Sequence, residues 1–297
     1  MKYMLGLNSE NLTIDDKEIM DMFDGVGMIR GENLCLEEMK YFPNQDFQKH
    51  VKNYLDSTAR LFEGRDVWYR TADLVPHQIN LLDGADKKFI EGQYIVGTRG
   101  IRRNLECQET YLKELKIFIE AYKNNKNLGI LIPFVSKPEE MRIVINILRN
   151  KFKYDGKIGM MVETPSSVIR LDEFEKLGID NYTLGMNDLT TLVLGADRDS
   201  KTYDMCDKGV LEFVKIAKDK IHSYGKNITV AGYLTKEFCD CCEEIGVDYC
   251  NIHYNLIPEI FKNVEDSEKF PQKYDKIREN YKRKKAEMLK TTNEEER

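Results

Sequence analysis

An Asn-Asp pair, Asn187 and Asp188, stands at the mouth of the apolar, β-rich stretch Tyr182-Thr183-Leu184-Gly185. Asp197 and Arg198 follow one short helical stretch later. Glu163 holds the matching place after another apolar run, "KIGMMVET" (157–164). Carboxylates at two neighbouring strand ends suit a hard divalent cation such as Mg2+, which takes one or two of them and leaves its other positions to water and substrate oxygens. Arginines recur at comparable places: Arg30, Arg70, Arg198, and Arg99 with Arg102 in "GTRGIRR". A guanidinium fork matches carboxylate and phosphate oxygens. Glu163 and Asp188 would hold a metal, and the arginines would hold a small anion with carboxylate and phosphate character. Each residue also has a plainer reading. A strand-end arginine often pairs with a rim carboxylate, Glu163 would suit a helix N-terminus, and Asp188 would cap a helix starting at Leu189.

Such a set needs elements that bring its members to one place. Short β-rich runs recur at 2–7, 25–30, 67–71, 129–134, 157–164, 181–186, 227–232 and 249–254. Between them lie stretches with apolar residues three and four apart, such as 43–62, 109–123, 137–151 and 210–225. Strands alternating with helices imply parallel βαβ units. Eight such units predict a closed (β/α)8 TIM barrel rather than an open, doubly wound sheet, with the functional residues at the C-terminal ends of the strands. Every residue singled out above falls on that face. The segment from Ala72 to Arg103 is longer than a simple connection and carries turn signals at Asp83-Gly84 and Glu91-Gly92, so it is a functional-loop candidate. One domain is expected over 1–270. The remainder, 271–297, reads as a charged, solvated helical tail.

The totals agree. The chain has 297 residues, 41% of them hydrophobic, and a net charge of −6, which disfavours nucleic acid as the main partner. No apolar run approaches the ~18 residues of a membrane span, and the N-terminus is too polar after Leu7 for a signal peptide. Seven cysteines without metal-like spacing predict reduced thiols and a cytoplasmic place. Cys239, Cys241, Cys242 and Cys250 read as small core residues of a helix and the next strand.

The stretches "GVGMIRGENL", "VWYRTADL", "GTRGIRR", "ILIPFV", "MMVETPSSV" and "GMNDLTTLVLGADRDS" occur in order. Together they resemble the C-terminal phosphoenolpyruvate/pyruvate-binding barrel of the phosphoenolpyruvate-utilising enzymes, over about Lys2 to Glu259. That family includes phosphoenolpyruvate synthase, pyruvate phosphate dikinase and enzyme I of the sugar phosphotransferase system. By this resemblance Glu163 and Asp188 are the magnesium ligands, and Asn187 contacts the substrate beside the metal. Arg30 and Arg70 grip the phosphoryl group, Arg198 is a third basic contact, and Arg99 belongs to the family's "GxRG" loop. The resemblance further implies a transferase that moves a phosphoryl group between pyruvate enolate and a phosphohistidine, and a homodimer.

Two departures stand out. The chain holds no segment like the phosphohistidine one and no nucleotide-binding domain, so those functions are expected on separate domains or proteins. The family also places a cysteine just after the seventh strand, as proton donor and acceptor at the enolate methylene. The matching stretch here is "ITVAGYLTKE", and the position is Ala231. Tyr233 lies two residues on, but a phenol with pKa ~10 is a poorer proton carrier near neutrality. Of the four histidines, His77 and His253 lie nearest the right face. Three functions therefore fit: phosphoryl transfer with a separate carrier, a metal-dependent lyase or aldolase acting on a pyruvate-type enolate, and a non-catalytic ligand-binding barrel.

Overall fold

A computed structural model describes residues 1–85 and 96–262, and the single tail positions Pro271, Asp275, Glu279 and Arg283, all four helical. The Glu91-Gly92 turn signal and most of the tail lie outside the described residues.

Eight strands form: β1 (Lys2–Leu7), β2 (Val26–Arg30), β3 (Val67–Arg70), β4 (Leu128–Ile132), β5 (Ile158–Val162), β6 (Asn181–Gly185), β7 (Ile228–Ala231) and β8 (Tyr249–Ile252). Each pairs in parallel with the next. The bonds that decide between barrel and open sheet are those of the two ends of the chain. Lys2 to Leu5 pair with Tyr249 to Ile252, so β8 closes on β1. The architecture is a (β/α)8 barrel.

The period of two along each strand explains how apolar strands carry a charged mouth. Met28, Trp68, Leu131, Met161, Met4 and Ala231 form a small cluster that plugs the barrel interior. Their chain neighbours Ile29, Tyr69 and Val162 turn outward into the larger core beneath the helices. Two residues beyond the plug, on the same inner side, come Arg30 after Met28, Arg70 after Trp68 and Glu163 after Met161. Arg30 and Arg70 are direct partners across β2 and β3.

The helices supply the outer layer. Gln45–Leu61 starts where the Asn44 side chain accepts a hydrogen bond from the Phe47 amide at 3.0 Å. It buries Phe47, Val51, Tyr54 and Leu55, one apolar stripe at helical spacing, and packs on the helix Gln108–Asn124. The 137–151 pattern is helical as expected, but it splits. An α-helix covers Pro138–Asn146, and a wider π turn covers Ile147–Lys151.

Candidate active site

The mouth of the barrel holds a cavity of about 1020 Å³, lined by Arg30, Glu32, Arg70, Asp73, Arg99, Glu163, Asn187, Asp188, Arg198 and Ala231 among others. All of the predicted site residues converge on it. Arg102 does not reach it as a ligand group: its guanidinium donates to Ser136 Oγ at 2.8 Å and to the Gly97 carbonyl at 3.2 Å.

Glu163 follows β5 by one residue. Thr164 then caps the short helix Pro165–Ile169, its hydroxyl accepting from the Ser167 amide at 3.1 Å, which turns the chain and leaves Glu163 aimed inward. Its Oε1 accepts from the Phe134 amide at 2.5 Å. Burial first, and the Asp188 carboxylate second, push the Glu163 carboxyl up to about 8.

Asn187 and Asp188 do not end β6. The strand stops at Gly185, and the pair stands in the first turn of the helix Met186–Leu194. Asp188 therefore does not cap a helix starting at Leu189. Its acceptors serve two cations: Arg99 donates to Oδ1 at 3.1 Å and to Oδ2 at 3.2 Å, and Arg198 donates to Oδ1 at 2.9 Å. Asn187 Oδ1 accepts from the Tyr233 amide at 2.9 Å, tying the β6 and β7 ends together.

Three members went unread in the sequence. Asp73 brings a third buried carboxylate, so that oxygens of Asp73, Glu163 and Asp188 all lie within 4.8 Å of one another. Both Asp73 oxygens accept from Arg99, Oδ1 at 3.0 Å and Oδ2 at 2.5 Å. Burial would raise the Asp73 carboxyl, but Arg99 outweighs it and holds the group below its ordinary range. Asp73 is thus the counter-ion that fixes Arg99. Glu32 plays the same part for Arg70, through a short ion pair. Burial would lower Arg70, and Glu32 and Asp73 outweigh it to hold the guanidinium above its usual value. Glu114 lies behind both. It accepts from the Ala72 amide at 2.7 Å and the Tyr69 hydroxyl at 2.9 Å, fixing the backbone that leads into Asp73. Burial pushes this carboxyl up to about 8. A single Asp or Glu in a loop or helix gives no periodic signal, and the one pointer to Glu32 and Asp73 was that they fall inside the stretches "GVGMIRGENL" and "VWYRTADL".

Arg30 differs from the other arginines. Among the described residues it makes no ion pair, and its buried Nε has no hydrogen-bond partner. Burial, and then the like charge of Arg70, lower its pKa. It is the cation that an incoming anion would satisfy.

The residues considered as proton carriers are placed differently. Ala231 is the last residue of β7, 1% exposed, paired with Gly185 on β6 and Asn251 on β8. Tyr233 is 57% exposed and directs only its backbone amide to the site. His253 is buried with Nδ1 3.0 Å from the Gly6 carbonyl oxygen, and burial together with Arg30 lowers its pKa to about 3. It does not line the cavity. The side chain of His77 lies outside the described residues. Cys250 packs in the outer core rather than in the mouth.

The donor set fits a magnesium ion. Glu163 and Asp188 offer hard, buried carboxylate oxygens on adjacent elements, and a cation beside them would offset both the burial and the mutual repulsion that raise Glu163. Gly185 makes this fit possible. A Cβ built there would meet Glu163 Oε2 at 2.2 Å and Glu163 Cβ at 2.6 Å. Gly185→Ala is expected to push Glu163 aside and weaken metal-dependent ligand binding about tenfold or more, measured by titration calorimetry. Unchanged binding would show that Glu163 is not held there for a metal.

Comparison with known proteins now decides the family. Residues 3–269 match the family model described as "PEP-utilising enzyme, PEP-binding domain". The chain belongs to the PEP-utilising enzymes. It is 30% identical over 224 residues to the phosphoenolpyruvate synthase of Pyrococcus furiosus, which covers 70% of this chain and 27% of that protein. It is 27% identical over 265 residues to a probable phosphoenolpyruvate synthase of Archaeoglobus fulgidus, covering 83% and 35%. The chain thus spans about a quarter to a third of the length of these relatives. Among solved structures, the citrate synthase SbnG shares the fold at a TM-score of 0.50 and 14% identity, over 91% of this chain and 94% of that one. Among the described residues no helix is long and apolar enough to cross a membrane.

Proposed function

We propose that this PEP-binding barrel takes phosphoenolpyruvate or pyruvate together with Mg2+ and works in phosphoryl exchange between pyruvate enolate and a phosphohistidine carried on another domain or protein. The observation that carries this reading is the convergence of two metal-type carboxylates, Glu163 and Asp188, with the unpaired Arg30 and the carboxylate-braced Arg70 in one cavity. When bound between Glu163 and Asp188, magnesium supplies Lewis-acid stabilisation of negative charge on substrate oxygens. The chain's own residues do the rest. Arg30 binds the phosphoryl or carboxylate group, and Arg70, already oriented by Glu32, adds a second fork. These donors are fixed before charge develops, which is the condition for strong electrostatic stabilisation. Arg198, which reaches Asp188 from the rim, would be a third basic contact for the substrate, and Arg99 is braced by Asp73. Asn187 orients the oxygen beside the metal. We take 1–270 as the barrel and 271–297 as its tail, in a cytoplasmic protein.

Oxalate copies the two chelating oxygens of pyruvate enolate. Titration calorimetry with oxalate is expected to show binding with Mg2+ present and little without it. Binding that ignores Mg2+ would sink the reading. The family resemblance also leads us to propose a homodimer, and light scattering at micromolar concentration is expected to give twice the chain mass of 34.7 kDa. A clean monomer would overturn it.

Ala231 favours a second reading, a lyase or aldolase. It would use the same grip on an enolate but send the carbanion to a carbon electrophile instead of a proton. The 1020 Å³ cavity leaves room for such a partner beside a three-carbon acid. A binding-only barrel is the third.

A further inference from the structure

The cysteine-rich helix Lys236–Ile245 divides its thiols between two faces. Cys239 and Cys242, three residues apart, are buried and share the outer core with Cys250 of β8. This is the packing role expected for them. Cys241 is not part of it. It is half-buried on another face, and its Sγ lies 3.9 Å from the Sγ of Cys206, itself half-buried. Cys206 belongs to the connection 195–207, between the helices Met186–Leu194 and Lys208–Ser223. That connection also carries Arg198, which donates to Asp188 at 2.9 Å, and Ala196, Asp197 and Asp199 of the cavity wall.

We propose that Cys206 and Cys241 are a reversible disulfide site that latches the 195–207 connection to the helix Lys236–Ile245 when a peroxide-class oxidant is present. The sulfurs must approach by about 2 Å to reach bonding distance. The surroundings permit this. Cys206 lies in a turn, half-buried against the edge of the core, with its amide donating to Asp204 Oδ1 at 2.8 Å, and it belongs to no helix or strand. The chemistry balances in two steps. The Cys241 thiolate attacks one peroxide oxygen, the S–O bond forms as the O–O bond breaks, and hydroxide leaves to take up the thiol proton as water. The Cys206 sulfur then attacks the sulfenic sulfur, the S–S bond forms as S–O breaks, and the second oxygen leaves as water with the Cys206 proton. Two electrons pass from the thiols to the peroxide. Burial, with the neighbouring thiol, pushes Cys206 up to about 12, so loss of its proton limits the second step.

The test uses the full chain treated with hydrogen peroxide and mapped without reduction. A peptide pair joining Cys206 to Cys241, lighter by two hydrogens and released by dithiothreitol, is expected. Cys241→Ser and Cys206→Ser, both at half-buried positions, should each fold and lose it. Trypsin cleavage after Arg198 and Lys201 should slow by about threefold or more in the oxidised wild type, because a latched segment opens less often, and should not slow in either variant. A crosslink between other cysteines, or sulfinic acid with no crosslink, overturns the site. A Cys206–Cys241 crosslink with unchanged cleavage overturns the latch. Neither readout depends on magnesium or oxalate, so failure of the proposed function leaves this result standing.

Discussion

With oxalate and magnesium both present, Asp188→Asn and Glu163→Gln are each expected to melt at the temperature of their own ligand-free form, while the wild type gains roughly 5 °C. A ligand that binds only the native state at about 100 times its Kd adds about 2.7 kcal/mol, which gives a shift of that order for a domain of this size. The comparison must be made within each variant, because the two substitutions move the baseline in opposite directions. Asp188 accepts from both Arg99 and Arg198, so its loss leaves two cations undercompensated and lowers ligand-free stability. Glu163 behaves in the opposite sense. Its carboxyl titrates at about 8 in the folded chain, above the ~4.3 of an unfolded glutamate. Between those values the folded state holds more protons, so stability falls as pH rises across the window and levels off above it. Gln removes that fall. Ligand-free Glu163→Gln should therefore show a flatter dependence of melting temperature on pH between about 5 and 8 than wild type does. An equal oxalate shift in both variants and wild type would end the metal assignment, whatever the baselines do.

Ala231→Cys is expected to gain magnesium-dependent exchange of the pyruvate C3 protons with deuterium, by at least about tenfold over wild type. General acid–base groups are worth about 10²–10⁴ in rate, and a thiol with pKa near ~8.5 both gives and takes a proton around neutrality. None of the residues considered as proton carriers supplies such a group, and Glu163, whose carboxyl titrates at about 8 in the ligand-free chain, would be taken up as a metal ligand. Ala231 has none, Tyr233 points its side chain into solvent, and His253 is turned to the Gly6 carbonyl with a pKa of about 3. The substitution adds one sulfur beside a cavity, between Gly185 and the Asn251 strand position, so little stability should be lost. Proton NMR of pyruvate in deuterated buffer reads the result directly. Fast exchange in the wild type would mean that another group handles the proton and would favour the lyase reading. No exchange in either protein, with oxalate still bound, would favour a barrel that only binds.

The sequence by itself determined the strands and most of what stands at their ends, though Asn187 and Asp188 proved to lie in the first turn of the helix after β6. Short apolar runs ending in Arg30, Arg70 and Glu163 put charge at the strand ends, while the apolar plug of Met28, Trp68 and Met161 below that charge came from the structure. The eight-fold repeat of strand and helix announced a barrel, and the order of the motifs announced its family. Only the tertiary structure decided which charge faces which. Arg99 meets Asp188 across 89 residues of chain, and Asp73 across 26. Those pairings depend on loop paths that carry no periodic signature, and they turn Asp73 and Glu32 from ordinary loop and helix acids into the braces of Arg99 and Arg70. The same holds for Cys206 and Cys241, 35 residues apart. Helical spacing sends Cys239 and Cys242 to one face and Cys241 to another, but what Cys241 meets there is set by where the barrel brings the 195–207 connection.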